Sequence, residues 1–207
     1  MDGQIQFLAL TGSQALGICT GLISRADEAA TISDRLRLID LGSAHHHRFA
    51  KIAGYLESDV EIEPLVQDFM IPLDGVQQRL ASADLAETLL LVKLQLIAYQ
   101  QVCQDVLPRL DSEVKNLLIS GGIITRTIKF SSEMLTTMKM SDPSLSDRLS
   151  LLSRRFTGEL VALVQRLAAE KPELAALVTG EEVGVASLSA IGELISQLTQ
   201  SVAEGSV

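Results

Sequence analysis

The sequence contains no tryptophan, and aromatic residues make up only 3% of it. Its apolar share, 47%, is therefore carried mainly by Leu, Ile, Val and Ala. Leucine and alanine are strong helix formers, so the composition leans towards a helical bundle. Basic charge is also scarce: the net charge is −9 and the isoelectric point about 4.8. Binding to nucleic acid by counterion release needs a positive surface, and this chain is not expected to have one. The one dense basic cluster, Arg148, Arg154, Arg155 and Arg166, falls in a single late helix. The two cysteines, Cys19 and Cys103, sit in apolar runs without CxxC or CxxxC spacing. They read as small buried thiols of a reducing compartment, too few for a structural zinc site. The three histidines are consecutive, His45 to His47, so no Ser/His/Asp or Cys/His set can be drawn elsewhere. There is no glycine-rich phosphate loop.

The stretch from Phe7 to Ser24 lacks charge but holds Thr11, Gly12, Ser13, Gln14, Gly17, Thr20 and Gly21. Asp2 precedes it, whereas a signal peptide wants a basic start. A buried core helix in a cytoplasmic protein is expected, with no membrane association.

At 207 residues the chain suits one domain with a substantial core. Six segments carry helical patterns. The first, about 5–28, is apolar nearly all round, as in a helix enclosed by others. The second begins at Thr31 or Ser33 as the cap, and Leu38, Leu41, His45, Phe49, Ile52 and Leu56 then share a face. It is expected to end at 57–59. A less regular link, 60–83, follows, with Pro64 and Pro72 as breakers and enough apolar residues to pack across the bundle. The third helix is expected from Asp84 to Leu107 and the fourth from about Ser112 to Lys139. In the fourth, Val114, Leu117, Gly121, Ile124 and Ile128 form the inward stripe, and Gly121-Gly122 lies mid-helix, permitting close packing. Ser141 to Ser144 marks a stop before a fifth helix, about 144–170, with Leu145, Leu149, Leu152, Phe156, Leu160, Leu163 and Leu167 on one face. A short segment after Pro172 and a last amphipathic helix, about 185–202, complete the chain. The expected fold is all-α: a four-helix bundle over about 5–139 with a long crossover between helices 2 and 3, and extra helices over about 144–202.

A bundle of this kind can hold two metal ions when glutamates and Glu-x-x-His pairs project inward from mid-helix. Here the first helix has no acid between Asp2 and Asp27, the third none between Glu87 and Asp105, and the fourth none between Glu113 and Glu133. No dinuclear site can be assembled from these residues, so no metal ligand, cofactor or catalytic residue is assigned. Consecutive helical residues point about 100° apart, so three adjacent histidines cannot converge on one ion. His45 is expected inward, with His46 and His47 in solvent. Arg48, one turn on, either snorkels outward or joins His45 and a glutamine, Gln14 or Gln95, in a polar core network.

Several short patterns carry a resemblance over about residues 7–178: Gly12-x-x-Ala15-x-Gly17, His45-x-x-Arg48-Phe49-x-x-Ile52, Asp68-Phe69 with Pro72-Leu73, and Arg154-Arg155-x-x-Gly158-Glu159 with Gln165-Arg166. In these the chain resembles bacterial ferritin-like-fold proteins distantly related to the di-iron tRNA hydroxylases. The resemblance implies the ferritin-like fold. It also implies that the family's ligand positions fall near Ile18, on His45 and Arg48, near Gln95 or Leu96, and near Gly121 and Ile124. None of these is a carboxylate.

The reading reached from the sequence is a metal-free ferritin-like protein that binds, scaffolds or forms an oligomer. A homodimer is expected, through apolar positions on the first, fifth or sixth helix. The alternative is a hydroxylase-like oxygenase with an unusual or mononuclear metal site near His45. A third expectation is a small-ligand pocket around Ile18, Gln95 and Ile124.

Overall fold

The computed structural model describes residues 2–57, 61–119, 121–182 and 188–205. Among these residues the chain is all-α, with nine helices and no strand. Helix α1 (Gly3–Ser24) is capped by the Asp2 side chain, which accepts from the Gln4 amide at 2.9 Å. It stops four residues short of the expected 28, because Ala26–Glu28 tighten into a 3₁₀ turn. Helix α2 (Ile32–Leu56) takes Thr31 as its cap, its side chain accepting from the Asp34 amide at 3.0 Å. Gly12 of α1 faces Phe49 and Ile52, whereas Gly42 of α2 faces Cys19 and Ile23. The two helices therefore pack antiparallel and close.

The segment expected to be irregular is helix α3 (Ile62–Leu80), with Pro72 inside it. Pro64 falls in the first turn, where its missing N–H would have no helical partner. Pro72 does cost the backbone bond to Asp68, yet Leu65, Val66, Phe69, Val76 and Leu80 recur at helical spacing and are all buried. Burial of that stripe outweighs one lost hydrogen bond. Ser13 of α1 fastens the crossover by donating to the Val66 carbonyl at 3.2 Å.

Helix α4 (Leu85–Val106) is capped by Asp84, which accepts from the Glu87 amide, while the Glu87 carboxylate accepts from the Ala83 amide at 2.7 Å. Phe7 stacks on Tyr99 at 6.2 Å and Gln14 reaches Gln95, so α1 and α4 are antiparallel. Hence α2 and α4 run parallel, as a long crossover requires.

The expected fourth helix is two helices, α5 (Ser112–Ile119) and α6 (Ile123–Ser141). Gly121 and Gly122 have φ of +95° and +58°, backbone that glycine adopts without strain. A Cβ on either would meet nothing within 4 Å, so these glycines serve the turn and not close packing. The break shifts the phase of α6. Ile123, Thr127, Phe130, Ser131 and Leu135 are buried, while Gly121 is exposed and Ile124 and Ile128 are half-buried.

Helices α1, α2, α4 and α6 form the four-helix bundle. Helix α7 (Leu145–Glu170), α8 (Pro172–Thr179) and α9 (Leu188–Gly205) lie against α1, α3 and α4. In α7 the expected face is the packed one, with Leu145, Leu149, Leu152, Phe156 and Leu167 buried. The expected start of the last helix, residue 185, lies outside the described residues, as does most of the expected end of α2. Gln6 of α1 accepts from the Leu174 amide of α8 at 3.0 Å, and Gln4 exchanges two bonds with Asp111. Helix α1 is long and apolar enough to cross a membrane, but 56% of its most apolar window is buried by these neighbours.

The glycines provide a test of this packing. A Cβ on Gly3 would lie 2.5 Å from the Glu173 carbonyl oxygen, which is helical backbone and cannot yield. Gly3→Ala is expected to lower unfolding free energy by about 1–3 kcal/mol. Gly54→Ala, on an exposed turn of α2 with nothing within 4 Å, should raise it by about 0.5–1 kcal/mol. Urea titration of the two variants checks the opposite signs.

Candidate functional site

The inward faces of α1, α2, α4 and α6 bring together a set of buried polar side chains. His45 is fully buried (0% exposed), and His46 and His47 point to solvent, as the 100° spacing requires. The ring Nε2 of His45 lies 3.0 Å from Thr127 Oγ1 across the bundle. Thr127 spends its single proton on the Ile123 carbonyl at 2.9 Å. Its oxygen therefore accepts from His45, which fixes the Nε2–H tautomer and leaves Nδ1 as a bare acceptor. Nδ1 is buried and has no partner among the described residues.

Arg48 is only 6% exposed, so it does not snorkel out of the bundle. It also meets no glutamine. Its Nη2 donates to the Tyr99 hydroxyl at 2.6 Å, and its guanidinium carbon stands 4.8 Å from the centre of the same ring. A charge-assisted bond and a cation–π contact thus come from one residue of α4. Among the described residues Arg48 forms no ion pair, and its Nη1 is buried without an acceptor. Burial pushes the Tyr99 hydroxyl well above its ordinary value, against the pull of Arg48, so the phenol stays neutral.

The other expected positions fall as follows. Ile18 is buried in the apolar core. Gln14 Nε2 donates to the backbone carbonyl of Gln95 at 3.2 Å, so the two glutamines meet each other instead of Arg48. Ile18 and Gln95 do line one cavity, about 420 Å³, between α1, α3 and α4. Ile124 lies elsewhere, on a cavity of about 340 Å³ beside α4 and α5, so the three do not share a pocket. Opposite His45 on α6 stands Thr127, where Gly121 and Ile124 were expected, a consequence of the glycine break. Tyr99 and Thr127 are the residues that sequence reasoning missed. Tyr99, one of two tyrosines, gave a signal in its place on a largely apolar helix, where a buried hydroxyl requires a partner. Thr127 gave none.

Among the described residues no three His, Cys, Asp or Glu side chains come together. Cys19 is buried, Cys103 half-buried, and neither forms a disulfide. Burial raises both thiols, as for inert core cysteines. Three of the four clustered arginines of α7 are tied locally: Arg148 to Asp84 at 2.5 Å, Arg155 to the Arg79 carbonyl at 2.6 Å and Arg166 to Glu170 at 2.9 Å.

The parallel placing of α2 and α4 around a helical crossover is ferritin-like geometry. A family model described as "Ferritin-like domain, actinomycetes" matches residues 5–181. The chain belongs to that family. No curated protein matches it. The ferritin-like domain so defined takes in α1 to α8 and the whole polar centre, and α9 lies beyond the match.

In this ferritin-like domain His45 supplies a pH-dependent term. Burial, then the charges of Arg48 and Arg126, lower its pKa from 6.5 to about 4. The folded state thus holds the ring neutral where the unfolded chain would protonate it. Stability is full above pH 6.5 and is lost progressively between pH 6.5 and 4. The loss should approach about 3 kcal/mol. In His45→Gln, which carries no titrating ring, most of that slope should vanish. Chemical unfolding of both proteins between pH 7 and 4 measures it.

Proposed function

We propose that this ferritin-like protein is distantly related to the di-iron tRNA hydroxylases, has lost the dinuclear metal site and works as a binding or scaffolding protein of the cytoplasm. The observation that carries this reading is Arg48. A dinuclear centre collects negative charge at mid-bundle to offset two cations. Among the described residues, mid-bundle holds a guanidinium with no carboxylate paired to it, one helical turn from the only buried imidazole. A fixed positive charge at that distance opposes any divalent ion near His45. The side chains present, those of Thr127, Ser131, Tyr99 and His45, do not fit a pair of metal ions.

One observation favours the other reading. The unpartnered Nδ1 of His45 is a free imidazole donor, which a single metal ion would use. Elemental analysis of protein produced with iron, manganese and zinc supplied, then stripped and reloaded, separates the two. Well under one equivalent per chain is expected. One equivalent that disappears in His45→Ala would establish the mononuclear oxygenase-like site instead, and about two equivalents would overturn the proposal.

A homodimer forms part of the same reading. Ile32, Leu36 and Ile39 make an exposed apolar row at helical spacing on α2, and Ile23 of α1, 44% exposed, adjoins it. Leu151 of α7 is also exposed. Sedimentation analysis is expected to give twice the chain mass, and Leu36→Glu should return it to a monomer.

A further inference from the structure

Where α1, α3 and α4 meet α7 and α9, the packing leaves a cavity of about 130 Å³. A second cavity, about 90 Å³, continues it beneath α8 and α9, sharing the walls Leu10, Val102, Val164, Leu167 and Leu198. Among the described residues no charged side chain lines either one. The walls are almost all hydrocarbon, so a charged molecule would lose its hydration there without return. The inner cavity is close in size to one of about 150 Å³, lined by Leu, Ile and Phe, that takes up benzene.

One polar atom breaks this apolar lining in a useful way. Gln14 lines the inner cavity, and its Oε1 is buried with no donor among the described residues. The orientation of the amide is not arbitrary. Its Nε2 donates to the Gln95 carbonyl, and a flipped amide would set oxygen against oxygen. The side chain therefore offers an acceptor held in place from behind. Tyr99, the other polar wall residue besides Gln95, directs its hydroxyl to Arg48 and gives the cavity its ring. A buried acceptor beside an apolar space of molecular size is matched by a neutral apolar molecule with one hydrogen-bond donor.

We infer that this slot binds a small neutral apolar alcohol, phenol-like in size, whose hydroxyl donates to Gln14 Oε1. His45 lines neither cavity, so the metal content of the bundle centre has no bearing on this site.

Phenol and toluene have nearly the same shape and differ in the donor, which makes them suitable probes. Titration of each into the full chain, followed by methyl NMR of the leucines and valines and by thermal shift, is the test. Phenol is expected to bind saturably and at least tenfold more tightly than toluene, with shifts confined to methyls of α1, α3, α4, α7, α8 and α9. Benzoate should not bind. In Gln14→Leu the preference should reverse in favour of toluene, and Val102→Phe, which fills both cavities, should abolish binding of both. Equal affinity for phenol and toluene in the unaltered protein overturns the inference. So does the absence of saturable binding, or shifts centred on α2 and α6. If either variant fails to fold, the comparison of the two probes and the location of the shifts in the unaltered chain decide the matter.

Discussion

A helix with no charged side chain from Gly3 to Ser24 has to be enclosed, and much of this molecule follows from that requirement. Helix α2 covers one side at close range, with Gly12 and Gly42 admitting Phe49, Ile52, Ile23 and the Cys19 carbonyl. The crossover α3 lies over a second side, α4 over a third, and α8 closes the start of the helix. Each neighbour brings apolar side chains to a surface that would otherwise meet water. At about 25 cal/mol per Å² of apolar surface, covering a 22-residue helix is a large favourable term. The helical crossover follows from the same requirement. An irregular link would carry unpaired backbone groups across an apolar surface, whereas a helix pairs those of its interior except the Asp68 carbonyl left by Pro72.

The polar centre works against this economy. His45, Arg48, Thr127 and Ser131 are all nearly or fully buried, and an apolar set of similar volume would avoid their desolvation. Arg48 is the most expensive of them. Tyr99 offsets part of the cost twice over, through its oxygen and through its ring. The pair also joins α2 to α4 across the bundle, the two parallel helices that the crossover separates in sequence. Removing the phenol oxygen would strand a buried cation, whereas removing the arginine would strand only a neutral hydroxyl. The burden of the centre thus rests on the arginine.

The helical class, the long crossover and the inward faces of α2 and α7 were legible because they depend on local signals. Thr31 and Asp84 announce their helices by capping, and the leucines of α7 repeat at 3–4 residues without interruption. Two misreadings have a common origin. By ordinary preference Pro72 is a helix breaker and Gly121-Gly122 a packing contact. In the structure, long-range burial of Phe69 and Val76 holds the helix through Pro72, while the unopposed surface at Gly121 lets the chain turn. The second error carried over to the centre, since the phase of α6 depends on where it restarts. The spacing of His45 with Leu38, Leu41 and Ile52 is enough to turn it inward. Its partner Thr127, 82 residues away, was not accessible to any local rule. For Arg48, sequence reasoning gave the need for an acceptor but not its identity, because mid-helix amides and a phenol are equally compatible with spacing.

The hydrogen bond from the Leu174 amide to Gln6 also bears on the order in which the molecule is built. It spans 168 of the 207 residues. Helix α1 leaves the ribosome ahead of the helices that cover it, and α8, which shields its opening turns, follows only after α2 to α7 have been made. Contacts of such separation form slowly, because a long loop must close before they are rewarded. Through most of synthesis the apolar start of α1 is left to the shelter of α2 and of whatever holds nascent chains. The element whose enclosure organises the fold is thus made before all of its covers, and its opening turns are among the last parts to be shielded.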